Sequence, residues 1–285
     1  MPPEQPERIN DPGWAWDPSL YAGSARYYPV GRVAYPAQVA DALVSAVPLD
    51  GSGLLLDVGC GPGSLTLLLA PYVAAAIGVD ADADMLSEAA RLAHQQEVSN
   101  VTWRHLRGED LPADLPAPQL VTFAQSFHWM DRPRVAAAVR SMLFDGGALV
   151  HVGAQTHEGI DSDQELPHPR PPRHAIGQLV QRYLGPQRRA GQGLARPQGR
   201  PGDEDDIYRG AGFEGPYRLE VPGRVVERTS EEIVASVYSL SSSAPHLFGS
   251  RLGAFDQDLR QLLAEACGGG LFSEQMRSIA LDIWR

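Results

Sequence analysis

Apolar residues recur along the chain with two periods that alternate. Between Pro36 and Pro48 the run Val39-Ala-Asp-Ala-Leu-Val-Ser-Ala-Val47 repeats with helical spacing, and Pro48 ends it. Gly51 and Gly53 then turn the chain into Leu54-Leu-Leu-Asp-Val58, a short, nearly continuous apolar run. Such a run predicts a parallel strand covered on both faces. The alternation continues with a helix over Ser64–Leu69, a strand over Ala75–Val79, a helix over Asp84–Gln95 and strands over Val101–Leu106 and Gln119–Ala124. A helix over Pro133–Met142 follows, and Asp145-Gly-Gly147 turns into a strand over Ala148–Val152. Strands separated by helical stretches imply right-handed βαβ units and a mostly parallel sheet with helices on both faces. The fold class read from this pattern is α/β.

After residue 153 the regularity fails. Residues 154–206 are rich in Pro, Arg, Gly, Gln and Asp, with one helix predicted over His174–Leu184. A stretch this long inside a domain points to a functional cap or to disorder. Beyond it, Tyr217–Val226 and Met276–Trp284 predict strands, and Ser230–Leu240 and Phe255–Ala266 predict helices. Thr229-Ser-Glu-Glu232 is a helix start, with Thr229 or Ser230 as the cap. The expected organisation is an N-terminal lid over residues 1–35, an α/β core over 36–153, an irregular substrate cap over 154–215, and C-terminal elements over 216–285 that complete the sheet. The first twenty residues are expected to pack loosely, anchored by Trp14 and Trp16. No internal repeat is present.

Composition narrows the function. In 285 residues, 43% are hydrophobic and 21% charged, ordinary values for a soluble domain. No run of eighteen apolar residues occurs, and the polar, proline-rich N-terminus lacks a signal peptide's apolar segment, so the expectation is a cytoplasmic protein without a membrane partner. The net charge of -11 argues against nucleic acid, and Arg188-Arg189 is too small a basic cluster to offset it. All 24 basic residues are arginine, which excludes Schiff-base or lysine-nucleophile chemistry. Two cysteines, Cys60 and Cys267, are too few for a disulfide framework. His157, His168 and His174 have spacings that match no familiar ligand pattern, so no metal is expected. Oligomeric state is not legible.

The chemistry concentrates at Leu54–Gly63. An acidic residue lies near the end of a buried strand, glycines follow at 59, 61 and 63, and a helix begins. Glycine removes side chains, so a ligand can lie against the backbone at the carboxyl end of the first strand, where open α/β sheets bind ligands. Asp80 ends the next strand, and a carboxylate there can accept hydrogen bonds from the vicinal hydroxyls of a ribose. A nicotinamide dinucleotide fits less well. Its fingerprint is G-x-G-x-x-G where this chain has G-x-G-x-G, and Pro62 removes one of the amides a pyrophosphate would use. Gln125 and Ser126, at the end of the fourth strand, are expected to line the cofactor or acceptor pocket. His128, just beyond, is the candidate general base, since an imidazole can accept a proton at neutral pH. Tyr27, Tyr28, Tyr35 and Trp14 are candidates to close over the site.

Asp57-Val-Gly-Cys-Gly-Pro-Gly63 after a buried strand resembles motif I of class I S-adenosylmethionine-dependent methyltransferases. The resemblance continues through Gly78-Val-Asp80, Met85 and Gly108-Glu-Asp-Leu-Pro112. Ser126-Phe-His-Trp-Met-Asp131, Tyr27-Tyr28 with Arg32-x-x-Tyr35-Pro36, and Arg228-Thr-Ser-Glu-Glu-Ile-Val resemble the small-molecule branch that includes trans-aconitate methyltransferase-like proteins. It covers about residues 20–153 and 216–285. It implies seven strands, the last antiparallel and beside the sixth, with S-adenosylmethionine as cofactor and a small-molecule acceptor over strands four and five. By resemblance, Asp57, Gly59, Cys60, Gly61 and Gly63 would hold the methionine end. Asp80 and Ala81 would border the ribose, Met85 would pack on the adenine, and Gly108 and Glu109 would flank its edge, with Gln125 nearby. Tyr27, Tyr28, Arg32, Ser126, His128 and Trp129 would face the acceptor. One departure stands out: where the family often has Asp, this chain has Arg107, which leaves Glu109 or Asp110 as substitutes for the adenine contact, or leaves that contact unmade. The resemblance implies methyl transfer to a small molecule. The alternatives are a fold that uses the cofactor structurally for another reaction and a non-catalytic regulator.

Overall fold

The computed structural model describes residues 17–47, 49–161, 163–187, 189–190, 193–194 and 203–285. Trp14, Trp16, Pro48 and Arg188 lie outside them, as does part of the expected cap. The alternating pattern resolves into β1 (Leu54–Val58), β2 (Ala75–Asp80), β3 (Val101–His105), β4 (Leu120–Ala124) and β5 (Ala148–Gly153). Helices α1 (Ala37–Ala46), α2 (Ser64–Leu69), α3 (Ala83–Gln95) and α4 (Arg132–Met142) accompany them. Further on come α5 (Arg173–Leu184), α6 (Asp203–Gly210), β6 (Tyr217–Val221), β7 (Val225–Thr229), α7 (Ser230–Tyr238), α8 (Leu252–Ala266), β8 (Leu271–Gln275) and β9 (Ile279–Trp284).

The main sheet has the order β3-β2-β1-β4-β5-β9-β6. The first five strands pair in parallel, while β9 is antiparallel to both β5 and β6. This is the seven-stranded arrangement that the motif I resemblance implies. Successive residues of each strand feed opposite faces, as a pleated strand requires. Leu55, Leu120 and Val150 join α1 and α2 in one core, while Leu56, Val121 and Leu149 join α4 and α6 in the other. The buried-on-both-faces reading of Leu54–Val58 follows from this division.

Two expectations are corrected. Tyr217–Val226 is not one strand: Pro222 and Gly223 break it, so that β6 stays in the main sheet while β7 pairs with β8 in a separate antiparallel ribbon. Proline has no N–H for a ladder, which makes the break local and chemical. The final strand begins at Ile279 rather than Met276, and the pairing partner β8 went unread. Part of the 154–215 stretch joins the main core. Its end, α6, packs Tyr208 against Phe127 and Trp284 in the core shared with α4.

The β7–β8 ribbon, α5, α7 and α8 form a third core around Leu179, Ile233, Phe248, Phe255 and Phe272. Thr229 caps α7 through a reciprocal box with Glu232. A buried ion cluster fastens this unit to the rest. Glu274 accepts two hydrogen bonds from Arg173, at 2.9 and 2.7 Å, and one from Arg228 at 3.2 Å. Arg228, 2% exposed, also donates to the carbonyls of Gly31, His157 and Glu232. Four segments distant in sequence therefore meet at one guanidinium.

Candidate cofactor and acceptor site

At the carboxyl end of β1 the chain enters three glycines with φ of +68°, +55° and +78° at 59, 61 and 63. At Gly59 a Cβ would stand 2.4 Å from that of Ser126, so only glycine lets the β1 turn lie against the β4 turn. The amides of Gly59 and Cys60 both donate to the Val79 carbonyl, and the Gly61 amide donates to Asp80 Oδ2 at 2.7 Å. Asp80 Oδ1 accepts from the Asp82 amide at 2.9 Å. Each Asp80 oxygen retains acceptor capacity. Burial, opposed by the Asp82 and Gly61 amides, pushes the Asp80 carboxyl up to about 6.

These elements open onto a cavity of about 670 Å³. Its walls include Gly59, Cys60, Gly61, Asp80, Ala81, Met85, Gly108, Glu109, Gln125 and Ser126 from the expected cofactor set, and Tyr28, Arg32 and Trp129 from the expected acceptor set. Most of the residues singled out from sequence are thus brought together. Asp82 caps α3 through the amides of Asp84 and Met85, and Met85 enters the cavity wall from that first turn. Ser126 Oγ donates to the Val58 carbonyl, tying the β4 turn to β1.

Four of the expected residues lie elsewhere. Asp57 is 1% exposed and points into the core, where its oxygens accept from Thr66 at 2.6 Å and Thr122 at 2.7 Å. It braces β1, α2 and β4 and does not line the cavity. Gly63 sits at the start of α2, outside the walls. Tyr27 packs on Tyr238, with centroids 5.0 Å apart. His128 is exposed beside Trp129 and does not line the cavity, because the 3-10 turn Phe127–Trp129 sends Trp129 inward in its place.

Other residues of the wall were missed. Tyr21, Val33, Met130 and Thr156 line it, and Tyr35, named only as a closing aromatic, does too. Burial first of all raises the Tyr21 and Tyr35 hydroxyls above the usual phenol range. Arg107 also reaches the cavity, 3.4 Å from Glu109 Oε2, while Glu109 Oε1 accepts from the Asp131 amide. Each Glu109 oxygen thus already has one partner, and Asp110 is exposed outside the wall. Of the segment 154–215, Thr156 is the residue in the wall among those described. The histidines of that segment engage separate partners: His157 faces Glu158, His168 faces Glu227 and His174 meets Gln178.

Residues 55–147 match the family described as a methyltransferase domain. Those residues are similar to a methyltransferase domain. An uncharacterized methyltransferase of Mycobacterium tuberculosis is 34% identical over 151 residues, 53% of this chain and 58% of its own length. A trans-aconitate 2-methyltransferase of Azoarcus is 35% identical over 112 residues, 38% of this chain and 41% of its own. The matches thus span about half the length of these relatives. Among solved structures, the [4+2]-cyclase SpnF superposes with a TM-score of 0.51 at 17% identity, covering 94% of this chain and 96% of the cyclase. That likeness concerns the fold alone.

Proposed function

We propose that this protein binds S-adenosylmethionine in the 670 Å³ cavity and transfers its methyl group to a small-molecule acceptor. The observation that carries the reading is the Asp80 carboxylate, fixed by the Gly61 and Asp82 amides beside bare Gly59–Gly61 backbone in the cavity wall. Two ribose hydroxyls can donate to its remaining lone pairs. Met85 and Leu106 offer apolar contact for the adenine, with the Gly108 backbone at its edge. When bound, the cofactor supplies a methyl group already activated by its sulfonium.

The protein's part is to position acceptor and methyl in line and to exclude water, which accounts for much of the barrier reduction in such displacements. Tyr21, Tyr28, Tyr35 and Trp129 give the acceptor side aromatic walls, and the strap over residues 28–35 roofs it. His128 is left outside this arrangement. Among the described residues of the wall no histidine stands ready to take a proton. The net charge of -11 supports a small-molecule partner over nucleic acid.

Isothermal titration with S-adenosylmethionine, followed by incubation with methyl-labelled cofactor and a metabolite extract, tests the reading. Binding with label appearing in a small molecule is the expected result. Binding with no labelled product from any extract would favour the structural or regulatory use of the same pocket, and absence of binding would reject the proposal.

A further inference from the structure

A second cavity, of about 250 Å³, lies in the C-terminal unit and shares no wall residue with the first. Ile176, Val180 and Leu184 of α5 line it together with Val237 of α7. The wall turns polar where α5 begins, at Arg173, with His157 and Glu158 beside it. Arg173 is fixed there. Its Nε and Nη2 donate to Glu274 at 2.9 and 2.7 Å, Nη2 donates also to the His157 carbonyl at 3.0 Å, and Nη1 donates to Ser236 Oγ at 2.9 Å. Nη1 carries a second hydrogen, which has no acceptor among the described residues.

Charge around this cavity balances. Burial pushes the His157 imidazole down, against the pull of Glu158, so the ring is neutral at pH 7. The guanidiniums of Arg173 and Arg228 then stand against the carboxylates of Glu274 and Glu158. An ion entering the cavity would lose its hydration without meeting a net opposite charge, a cost that an uncharged molecule avoids.

The helix that forms one wall is itself shaped for the opening. Gly177 lies in the interior of α5, where glycine weakens a helix relative to alanine. A Cβ at Gly177 would meet no atom within 4 Å, so close packing does not require the glycine. The space that its missing side chain leaves open belongs to the cavity.

We propose that the second cavity binds a small, uncharged amphiphile, with a ring or short branched chain among Ile176, Val180, Leu184 and Val237 and a hydroxyl head at Arg173. The head oxygen accepts the second Nη1 hydrogen, and its own proton is directed to the His157–Glu158 pair. An apolar cavity of about 150 Å³ takes up benzene, so this one admits a ring with a short substituent. The proposal is independent of the cofactor reading, since the two cavities have separate walls.

Titration of the full chain with benzyl alcohol tests it. Wild type is expected to bind with a Kd of about 1 mM or tighter, and Gly177→Leu, whose side chain fills the cavity, to bind at least about tenfold more weakly. Equal affinity in the two proteins, or no binding by wild type up to about 10 mM, overturns the proposal. Benzoate, similar in size but charged, tests the ligand class. Benzoate affinity is expected to be the same in wild type and Gly177→Leu, and a loss as large as that of benzyl alcohol overturns the uncharged class. Toluene leaves water more readily but offers Arg173 no oxygen, so it is expected to bind no more tightly than benzyl alcohol. A toluene affinity about tenfold higher overturns the hydroxyl head.

Gly177→Ala controls for the helix. It is expected to raise Tm and to keep benzyl alcohol affinity within about threefold of wild type, whereas a lowered Tm would mean that packing demands the glycine, against the proposal. Should Gly177→Leu not fold, Val180→Phe fills the same space from the next turn of α5, with the same loss of benzyl alcohol binding expected.

Discussion

Replacing Asp80 by Asn tests the cofactor shelf most directly. The two side chains have the same shape, so the cavity is preserved and the change is one of charge and hydrogen-bond polarity. In the native turn both Asp80 oxygens accept, one from the Gly61 amide and one from the Asp82 amide. Asn carries one oxygen and one NH2 group, so one of these amides must face a donor. The ribose meanwhile loses a charge-assisted acceptor. Hydrogen bonds to charged groups contribute ~1.5–3 kcal/mol each, so losing one, with the turn partly disordered, comes to about 2–3 kcal/mol. That corresponds to a roughly 30- to 150-fold rise in the Kd for S-adenosylmethionine.

Titration calorimetry between pH 4.5 and 7 adds a second signature. Burial, partly offset by the Asp82 and Gly61 amides, holds the free carboxyl at about 6, and the form that accepts from ribose is the ionised one. Wild-type affinity is therefore expected to weaken below pH 6, toward tenfold per unit, and the Asn variant to be flat over the same range. The sign for folding runs the other way. Because the folded pKa lies above the unfolded value, this group's contribution to the stability of the ligand-free protein is full below about pH 4 and is lost as pH rises through 6. A wild-type Kd that is constant from pH 4.5 to 7, or a variant within threefold of wild type at pH 7, would refute the assignment of Asp80 to the ribose.

Gly61→Ala places a Cβ where no atom lies within 4 Å, so its cost to folding is the φ of +55° alone, about 1–2 kcal/mol by thermal melting. The added methyl projects from the shelf, and cofactor affinity is expected to fall at least about tenfold, a loss out of proportion to the drop in Tm. Glu274→Gln leaves Arg173 and Arg228 without their shared anion, and denaturant unfolding should show a loss of ~3–5 kcal/mol. Burial would raise the Glu274 carboxyl, but Arg173 and then the Gly159 amide and Arg228 hold it below its ordinary value, so the stabilisation is present above about pH 4 and disappears as pH falls through the lowered pKa. His128→Ala should keep turnover within about threefold once an acceptor is found, whereas removal of a true general base costs about a hundredfold or more.

The parts of the fold that sequence made legible are those fixed by local chemistry. Leu54–Val58 had to be a two-faced strand because it offers no polar face, and Asp80 closes its strand beside a glycine turn. The break at Pro222-Gly223 was equally local and could have been read from proline's missing donor. β8 could not, since Leu271–Gln275 earns its strand only by pairing with Val225–Thr229 more than forty residues earlier. Within the site, residue type was informative and side-chain direction was not. An acidic residue near the end of β1 looks the same whether it faces a ligand or the core, and the decision for Asp57 belongs to Thr66 and Thr122. Tyr27 and Tyr28 are neighbours in sequence, as are His128 and Trp129, yet one of each pair enters the cavity. The turn that chooses between them depends on packing against α7 and β4, which no single-sequence period records.

Arg228 bears on how ligands come and go. Swinging residues 28–33 outward would strip the Gly31 carbonyl from Arg228 and the Val33 amide from the Thr156 carbonyl. It would also pull Arg32 off Ser239. Each broken bond leaves a polar group facing protein rather than water, so the stretch is expected to open only at the combined cost of these bonds. Opening this stretch is then expected to require release of Arg228 and Ser239, so that access to the site is tied to the integrity of the C-terminal unit that holds them.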